Sequence, residues 1–207
     1  MADVERHEFF PTCIYRFKHD FKENELNNVV KHIEDNSLSE QNGQVIKRTG
    51  SQTQNELHKI DTFANLTKTI IDATKSILDE QGYIGEVEIT NMWGNILRPQ
   101  SQRAHAPHTH SNNILSGVYY LQSGSPIQFF DPRPAATILK PRNTPNWDNS
   151  GMIQFDSVED IALFFPSWLM HWVKTNEEER MSVSWNIQVN GHYGEPKTLQ
   201  NAYIKEK

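Results

Sequence analysis

Arg180-Met181-Ser182-Val183-Ser184-Trp185-Asn186-Ile187-Gln188-Val189-Asn190 alternates polar and apolar side chains without a break. Successive side chains of an extended chain point to opposite faces, so this run is a β-strand with one polar and one apolar face. Moving toward the N-terminus, residues 115–122, 127–130, 152–155, 161–165 and 169–174 are further short runs rich in β-branched and aromatic side chains, separated by Gly, Pro, Asn and Asp. After Gly85, the residues Val87, Ile89, Asn91, Trp93, Asn95 and Leu97 follow a period of two and are predicted to share one side of a strand that Pro99 ends. Seven or eight short strands in the second half of the chain predict a sandwich or jelly roll rather than a parallel sheet. Residues 132–150, with several Pro and Asn, read as a loop over one end.

The first half has a different period. Between residues 22 and 36, Leu26, Val29, Val30 and Ile33 recur at helical spacing and give one apolar stripe opposite acids and amides. In a second helix, Phe63, Leu66, Ile70, Ala73 and Ile77 step by three and four, Asp61 is the predicted N-cap, and Gly82 stands where a left-handed C-cap belongs. Residues 37–54 read as loop. At 207 residues with no stretch of linker composition and no internal repeat, the chain is expected to form one domain over 1–207. In that domain, residues 1–84 are mostly helical support and residues 85–195 are the β core. The fold class is mainly β with N-terminal supporting helices.

A formal net charge of −6 without any Lys/Arg run argues against a nucleic-acid partner bound across a broad face. The one cysteine, Cys13, excludes an internal disulfide framework and a thiolate zinc cluster, which suits a reducing cytoplasm. A charged N-terminus and the lack of about 18 uninterrupted apolar residues give no expectation of a membrane span. Oligomeric state is not legible.

The chemistry lies in the histidines. In His105-Ala-Pro-His108-Thr-His110, residues two apart point the same way, so His108 and His110 can present both imidazoles to one ion, whereas His105 has opposite parity and is expected to be a bystander. His171 stands in the aromatic run Phe164-Phe165-Pro166-Ser167-Trp168-Leu169-Met170-His171-Trp172-Val173, where a buried imidazole needs something to satisfy its nitrogens. As a third ligand it would complete one face of a metal and leave the other open. Arg180 follows nine residues later, across a polar hairpin at 174–179 that is predicted to bring it beside His171. Arg180 with Ser182 suits a carboxylate, because the guanidinium offers a fork and the hydroxyl a third donor.

At these residues the chain resembles the 2-oxoglutarate and iron(II)-dependent oxygenase superfamily, and is most similar to small oxygenases of bacteria and tailed phages. The shared pieces are Pro107-His108-Thr-His110, Ser116-Gly-Val-Tyr-Tyr120-Leu, Phe130-Asp131-Pro132-Arg133, Phe165-Pro-Ser-Trp168 with His171, and Arg180-Met-Ser182-Val-Ser184-Trp-Asn186. The resemblance implies a double-stranded β-helix, a metal site on His108, His110 and His171, and Arg180 with Ser182 on the distal carboxylate of 2-oxoglutarate. Tyr120 adds a hydroxyl, and Asn95 on the first long strand is a candidate for the co-substrate pocket. One departure stands out, since most of the superfamily has Asp or Glu where this chain has His110. Asp131 is a conceivable substitute carboxylate, with an Asx-turn ahead of Pro132 as its structural alternative. His32-Ile-Glu34, the one His-x-acid match, lies on a surface helix and is read as coincidence.

The implied activity is oxidative decarboxylation of 2-oxoglutarate coupled to hydroxylation of a small-molecule or peptidyl substrate, with iron(II), 2-oxoglutarate and ascorbate as cofactors. Two alternatives remain at this stage: a cupin-like three-histidine dioxygenase without 2-oxoglutarate, and a non-catalytic jelly-roll binding domain.

Overall fold

The computed structural model describes residues 5–41, 44–47, 52–99, 105–133, 146–174 and 178–205. Strand β1 (Tyr15–Lys18) is followed by helix α1 (Glu23–Asn36) and helix α2 (Ala64–Gln81). Between the helices, where loop was expected, Leu38–Gln41 (β2) and Gln44–Lys47 (β3) form a hairpin. Two 3₁₀ turns, Leu57–Lys59 and Asp61–Phe63, lead into α2. Asp61 therefore sits inside a turn and makes no capping bond, and the helix starts after Phe63 instead. Gly82 ends α2 as expected, at φ +76°, with its N–H on Asp79 and that of Tyr83 on Leu78.

Beyond the helices come β4 (Gly85–Leu97), β5 (His105–His108), β6 (Leu115–Gln122), β7 (Gly124–Phe130), β8 (Met152–Ser157), β9 (Ile161–Pro166), β10 (His171–Val173), β11 (Arg180–Tyr193) and β12 (Ala202–Ile204). A larger sheet runs β1-β9-β6-β11, with β4 on the other side of β11 and β12 extending it. A smaller one runs β5-β10-β7-β8. From β4 onward the chain passes back and forth between the two sheets, which is the jelly-roll or double-stranded β-helix arrangement. The expected β10–β11 hairpin does not form: the two strands belong to different sheets, and residues 175–177 lie outside the described residues. Most of the expected 132–150 loop lies outside them as well.

Two cores share the larger sheet as a common wall. One lies between that sheet and the helices, and joins Val29, Ile33, Leu66, Ile70 and Ile77 to Met92, Ile96, Met181, Val183, Trp185 and Ile187. The other lies between the two sheets and contains Leu97, Val118, Tyr120, Ile127, Phe129, Leu163, Phe165, Leu169 and Val173. The alternation along β11 decides which residue serves which. Odd positions from Met181 to Val189 pack under the helices, and even positions from Arg180 to Asn186 face between the sheets.

Along β4 the expected single polar–apolar alternation is broken. Ile187 pairs with Ile89 but Asn186 pairs with Asn91, so Thr90 is an extra residue that reverses the phase. Ile89, Met92 and Ile96 consequently share the helix side, and Asn91, Trp93, Asn95 and Leu97 the inner side. The bulged Thr90 hydroxyl is held by Asn113 Oδ1 at 2.7 Å.

Gly117 lies on the helix side of β6, and a Cβ there would stand 2.4 Å from the indole of the fully buried Trp185. Because that ring is locked in the core, Gly117→Ala is expected to cost about 1–3 kcal/mol of stability. Urea denaturation should show a lower midpoint at unchanged slope.

Candidate active site

His108 ends β5 and His171 opens β10, and the two are direct cross-strand partners. His110, two residues on, is tied by its backbone N–H to the carbonyl of Ser167 at 2.8 Å. Sheet pairing thus supplies two of the imidazoles and one loop-to-loop bond supplies the third. The ligand atoms of His108, His110 and His171 all lie within 4.8 Å of one another. His110 Nε2 and His171 Nε2 are 3.3 Å apart, close to the roughly 3.0 Å separating two nitrogens bound at right angles to one ion at about 2.1 Å.

The ring orientations suit metal binding. The Nδ1 of His108 meets the carbonyl of Ala106 at 2.7 Å, and the Nδ1 of His171 meets that of Leu169 at 2.9 Å. Each Nδ1 carries the proton in that arrangement, which leaves Nε2 as a free lone pair. Burial drives the His171 pKa down to about 3, helped by the neighbouring histidines and opposed by the Leu169 bond. Burial also lowers His110, against a hydrogen bond with Asn186 that raises it. Neutral imidazoles are the metal-binding form. Trp93 stacks on His110 with centroids 6.0 Å apart.

His105, expected to point away from the pair as a bystander, lies outside the converging trio but faces the same side. Val173 pairs with His105 and His171 with His108, so three steps on β5 oppose two on β10, and the surplus at Ala106-Pro107 turns His105 inward. Its pKa falls to about 4, through burial first and then through the positive Arg180 and the neighbouring His108 and His110. Pro107, which cannot donate to a ladder, was the sequence signal for that bulge.

The remaining candidates line the inner face of the larger sheet. Ser182 pairs with Asn95 on one side and Tyr120 on the other, so three polar side chains stand in register across β4, β11 and β6. Arg180, only 2 % exposed, lays its guanidinium over the Tyr120 ring at 5.0 Å. Burial raises the Tyr120 pKa and keeps the hydroxyl protonated, against the pull of Arg180. Four buried atoms here lack hydrogen-bond partners: Arg180 Nε, Ser182 Oγ, Tyr120 Oη and Asn95 Oδ1. Each such orphan costs about 1–3 kcal/mol, so their clustering calls for a ligand that satisfies them. Three of the four are donors, which fits a carboxylate. In Asn95 the orphan is the acceptor Oδ1, while the amide nitrogen donates to Ser184 Oγ at 3.1 Å.

The other acidic candidates are occupied elsewhere. Asp131 accepts from the Arg133 backbone at 2.9 Å and from its guanidinium at 3.0 and 2.8 Å, an Asx-turn closed by an ion pair. His32 packs edge-on against Phe63 beneath α1, far in the fold from the histidine cluster.

Residues 91–186 match the family model described as "Putative 2OG-Fe(II) oxygenase". A crystal structure of the non-heme alpha ketoglutarate dependent epimerase SnoN from nogalamycin biosynthesis aligns over 94 % of this chain and 91 % of its own, at TM-score 0.61 and 11 % identity. SnoN in complex with Fe3+, alpha ketoglutarate and nogalamycin RO aligns over 94 % and 92 %, at TM-score 0.58 and 11 % identity. A Pseudomonas putida prolyl-4-hydroxylase aligns over 87 % and 94 %, at TM-score 0.58 and 12 % identity. No curated protein matches the chain. At such identities the structures show the shared fold. Residues 91–186 thus match that family's model, and the chain as a whole has the double-stranded β-helix fold of these structures. No described helix is long and apolar enough to cross a membrane.

Proposed function

We propose that the protein is a 2-oxoglutarate-dependent iron(II) hydroxylase, with His108, His110 and His171 as metal ligands and Arg180, Ser182 and Tyr120 holding the distal carboxylate of 2-oxoglutarate. The observation that carries this reading is the pairing, within one inner face, of three convergent imidazoles with a nest of unpartnered buried donors. When bound, iron(II) would let molecular oxygen, the oxidant, be divided between the two organic substrates, one oxygen atom going to succinate with loss of carbon dioxide from 2-oxoglutarate and the other to the hydroxylated C–H carbon. The protein's share is positioning. His108 and His171 present fixed lone pairs, Arg180 and Ser182 select a diacid, and the aromatic walls of Trp93, Phe129 and Phe165 keep water from the reacting side.

Trp168 and Met170, exposed on either side of buried Leu169 just before His171, are candidates for the rim over which a substrate would enter. That rim suits an apolar portion of a small-molecule or peptidyl substrate, and the acidic balance disfavours nucleic acid. SnoN is an epimerase and the Pseudomonas putida enzyme a prolyl-4-hydroxylase, so the fold accommodates both outcomes. Hydroxylation is the reading adopted here. Ascorbate would act only to keep the metal reduced.

Anaerobic calorimetry decides between this and a metal dioxygenase without 2-oxoglutarate. Iron(II) should bind first and 2-oxoglutarate only in its presence, with succinate released on admitting oxygen. Metal binding without any 2-oxoglutarate signal would move the assignment to the cupin-like alternative, and the absence of both would leave a binding domain.

A further inference from the structure

An open groove of about 1430 Å³ crosses the end of the larger sheet beside the histidines. Its near end is built from Asn91, Ser111 and Trp168. Ser111 directly follows His110, Trp168 follows Ser167, whose carbonyl holds the His110 N–H, and Asn91 lies two residues from Trp93, which stacks on His110. Gln188, the next even position of β11 after Asn186, lines the groove further along, and Tyr83, just past α2, lines the part away from the histidines. The volume exceeds the roughly 300–1,000 Å³ that encloses one compact small molecule, so the groove is sized for an extended ligand.

Its free hydrogen-bonding groups are neutral and two-sided. Ser111 Oγ and the Asn112 and Gln188 amides have no partner among the described residues, and Asn91 keeps its Nδ2 free because Asn186 binds its Oδ1. A hydroxyl and a primary amide each set a donor beside an acceptor, which is also what hydroxyl groups on adjacent carbons present. Charge plays little part: among the described residues Glu80 and Lys205 are the only charged side chains along the groove, one of each sign. A phosphate or a nucleic acid would find no complement there.

The groove also carries exposed rings, those of Trp168, Tyr83 and Phe10. Phe10 is 97 % exposed and sits at φ +57°, a left-handed conformation that a bulky side chain adopts only at a cost. Strain and an open ring at one residue mark a surface kept for contact, and flat ring faces suit the C–H faces of sugars. An extended peptide would instead need a strand edge to pair with. β6 leaves β11 at Ile187 and β12 joins it at Gly191, so only Val189 turns its peptide groups into that gap, and its carbonyl already accepts from Tyr193 Oη at 2.5 Å.

We propose that this groove is the substrate site and that it takes a neutral oligosaccharide, hydrogen-bonded to the amides and stacked on the exposed rings. The proposal rests on the oxygenase reading for its chemistry, but the binding itself needs neither metal nor co-substrate.

The test begins with full-length, metal-free protein and saturation-transfer NMR against neutral tri- to hexasaccharides of glucose, galactose, mannose and N-acetylglucosamine, beside a set of uncharged hexapeptides. Saturation should pass to the ring C–H protons of at least one saccharide and to none of the peptides. Trp168→Ala, Gln188→Ala and Asn112→Gly should each weaken that saccharide about tenfold, as loss of a central contact does. Trp168 and Asn112 are exposed and Gln188 half-buried, and glycine suits the φ of +64° at Asn112, so the variants should fold. With iron(II), 2-oxoglutarate and oxygen supplied, the same saccharide should speed succinate release, and each variant should need more of it for the same gain. No saccharide bound, peptides bound instead, unchanged affinity in all three variants, or succinate release indifferent to a saccharide that binds would each overturn the proposal and leave the oxygenase reading intact. Protein that binds the saccharide but neither iron(II) nor 2-oxoglutarate would instead sink the oxygenase reading and uphold the groove as a saccharide site.

Discussion

His171→Ala is expected to remove measurable iron(II) or Mn(II) binding, a loss of at least about a hundredfold and so beyond what an outer partner costs. His171 is 4 % exposed, is cross-strand partner to His108 and lies 3.3 Å from His110, so its loss opens the cluster that the three imidazoles form. The variant should fold: removing an imidazole that burial holds neutral also removes a desolvation cost. Calorimetric titration beside a thermal melt checks both points. Metal affinity within a few-fold of wild type would mean that these histidines are not the ligands.

Arg180→Ala is expected to leave metal binding close to wild type and to weaken 2-oxoglutarate by about 10²–10⁴-fold, the loss of two charge-assisted bonds of about 1.5–3 kcal/mol each. Arg180→Lys keeps the charge but not the fork, and should fall between the two. The guanidinium also covers the Tyr120 ring, so the alanine variant leaves a void and should melt lower as well. The separation of the two ligands is what matters. If metal and 2-oxoglutarate weaken equally, Arg180 serves the fold rather than the co-substrate.

Much of this arrangement was legible because alternation is a local property. Period two along 180–190 predicted one polar and one apolar face for β11, which the structure turns inward and toward the helices, and the ordered set His108, His110, His171 predicted a cluster that the structure assembles. Two of the features that were not legible share one cause. A bulge adds a residue without changing composition, so Thr90 reversed the phase of β4, and Ala106-Pro107 turned His105 inward. The route that carries Arg180 to the inner face also escaped prediction. It arrives through the pairing of β11 with β4 and β6, and a short polar segment beside β10 does not reveal that the next strand joins the opposite sheet. The hydrogen bonds of Ser116 to Ser167 and to Asn186 were hidden for a different reason: all three residues lie in the quoted motifs, but only tertiary packing brings them together.

The depressed pKa of His171 has a consequence for acid conditions. A histidine free in the unfolded chain takes up its proton near pH 6.5, and the buried one only near pH 3. Between those values the unfolded state binds more protons than the folded one, so native stability declines steadily as acid is added and recovers as it is neutralised. Acid should therefore dismantle the barrel before it charges this imidazole in place, and the lower edge of the working range should track a circular-dichroism unfolding curve rather than a histidine titration.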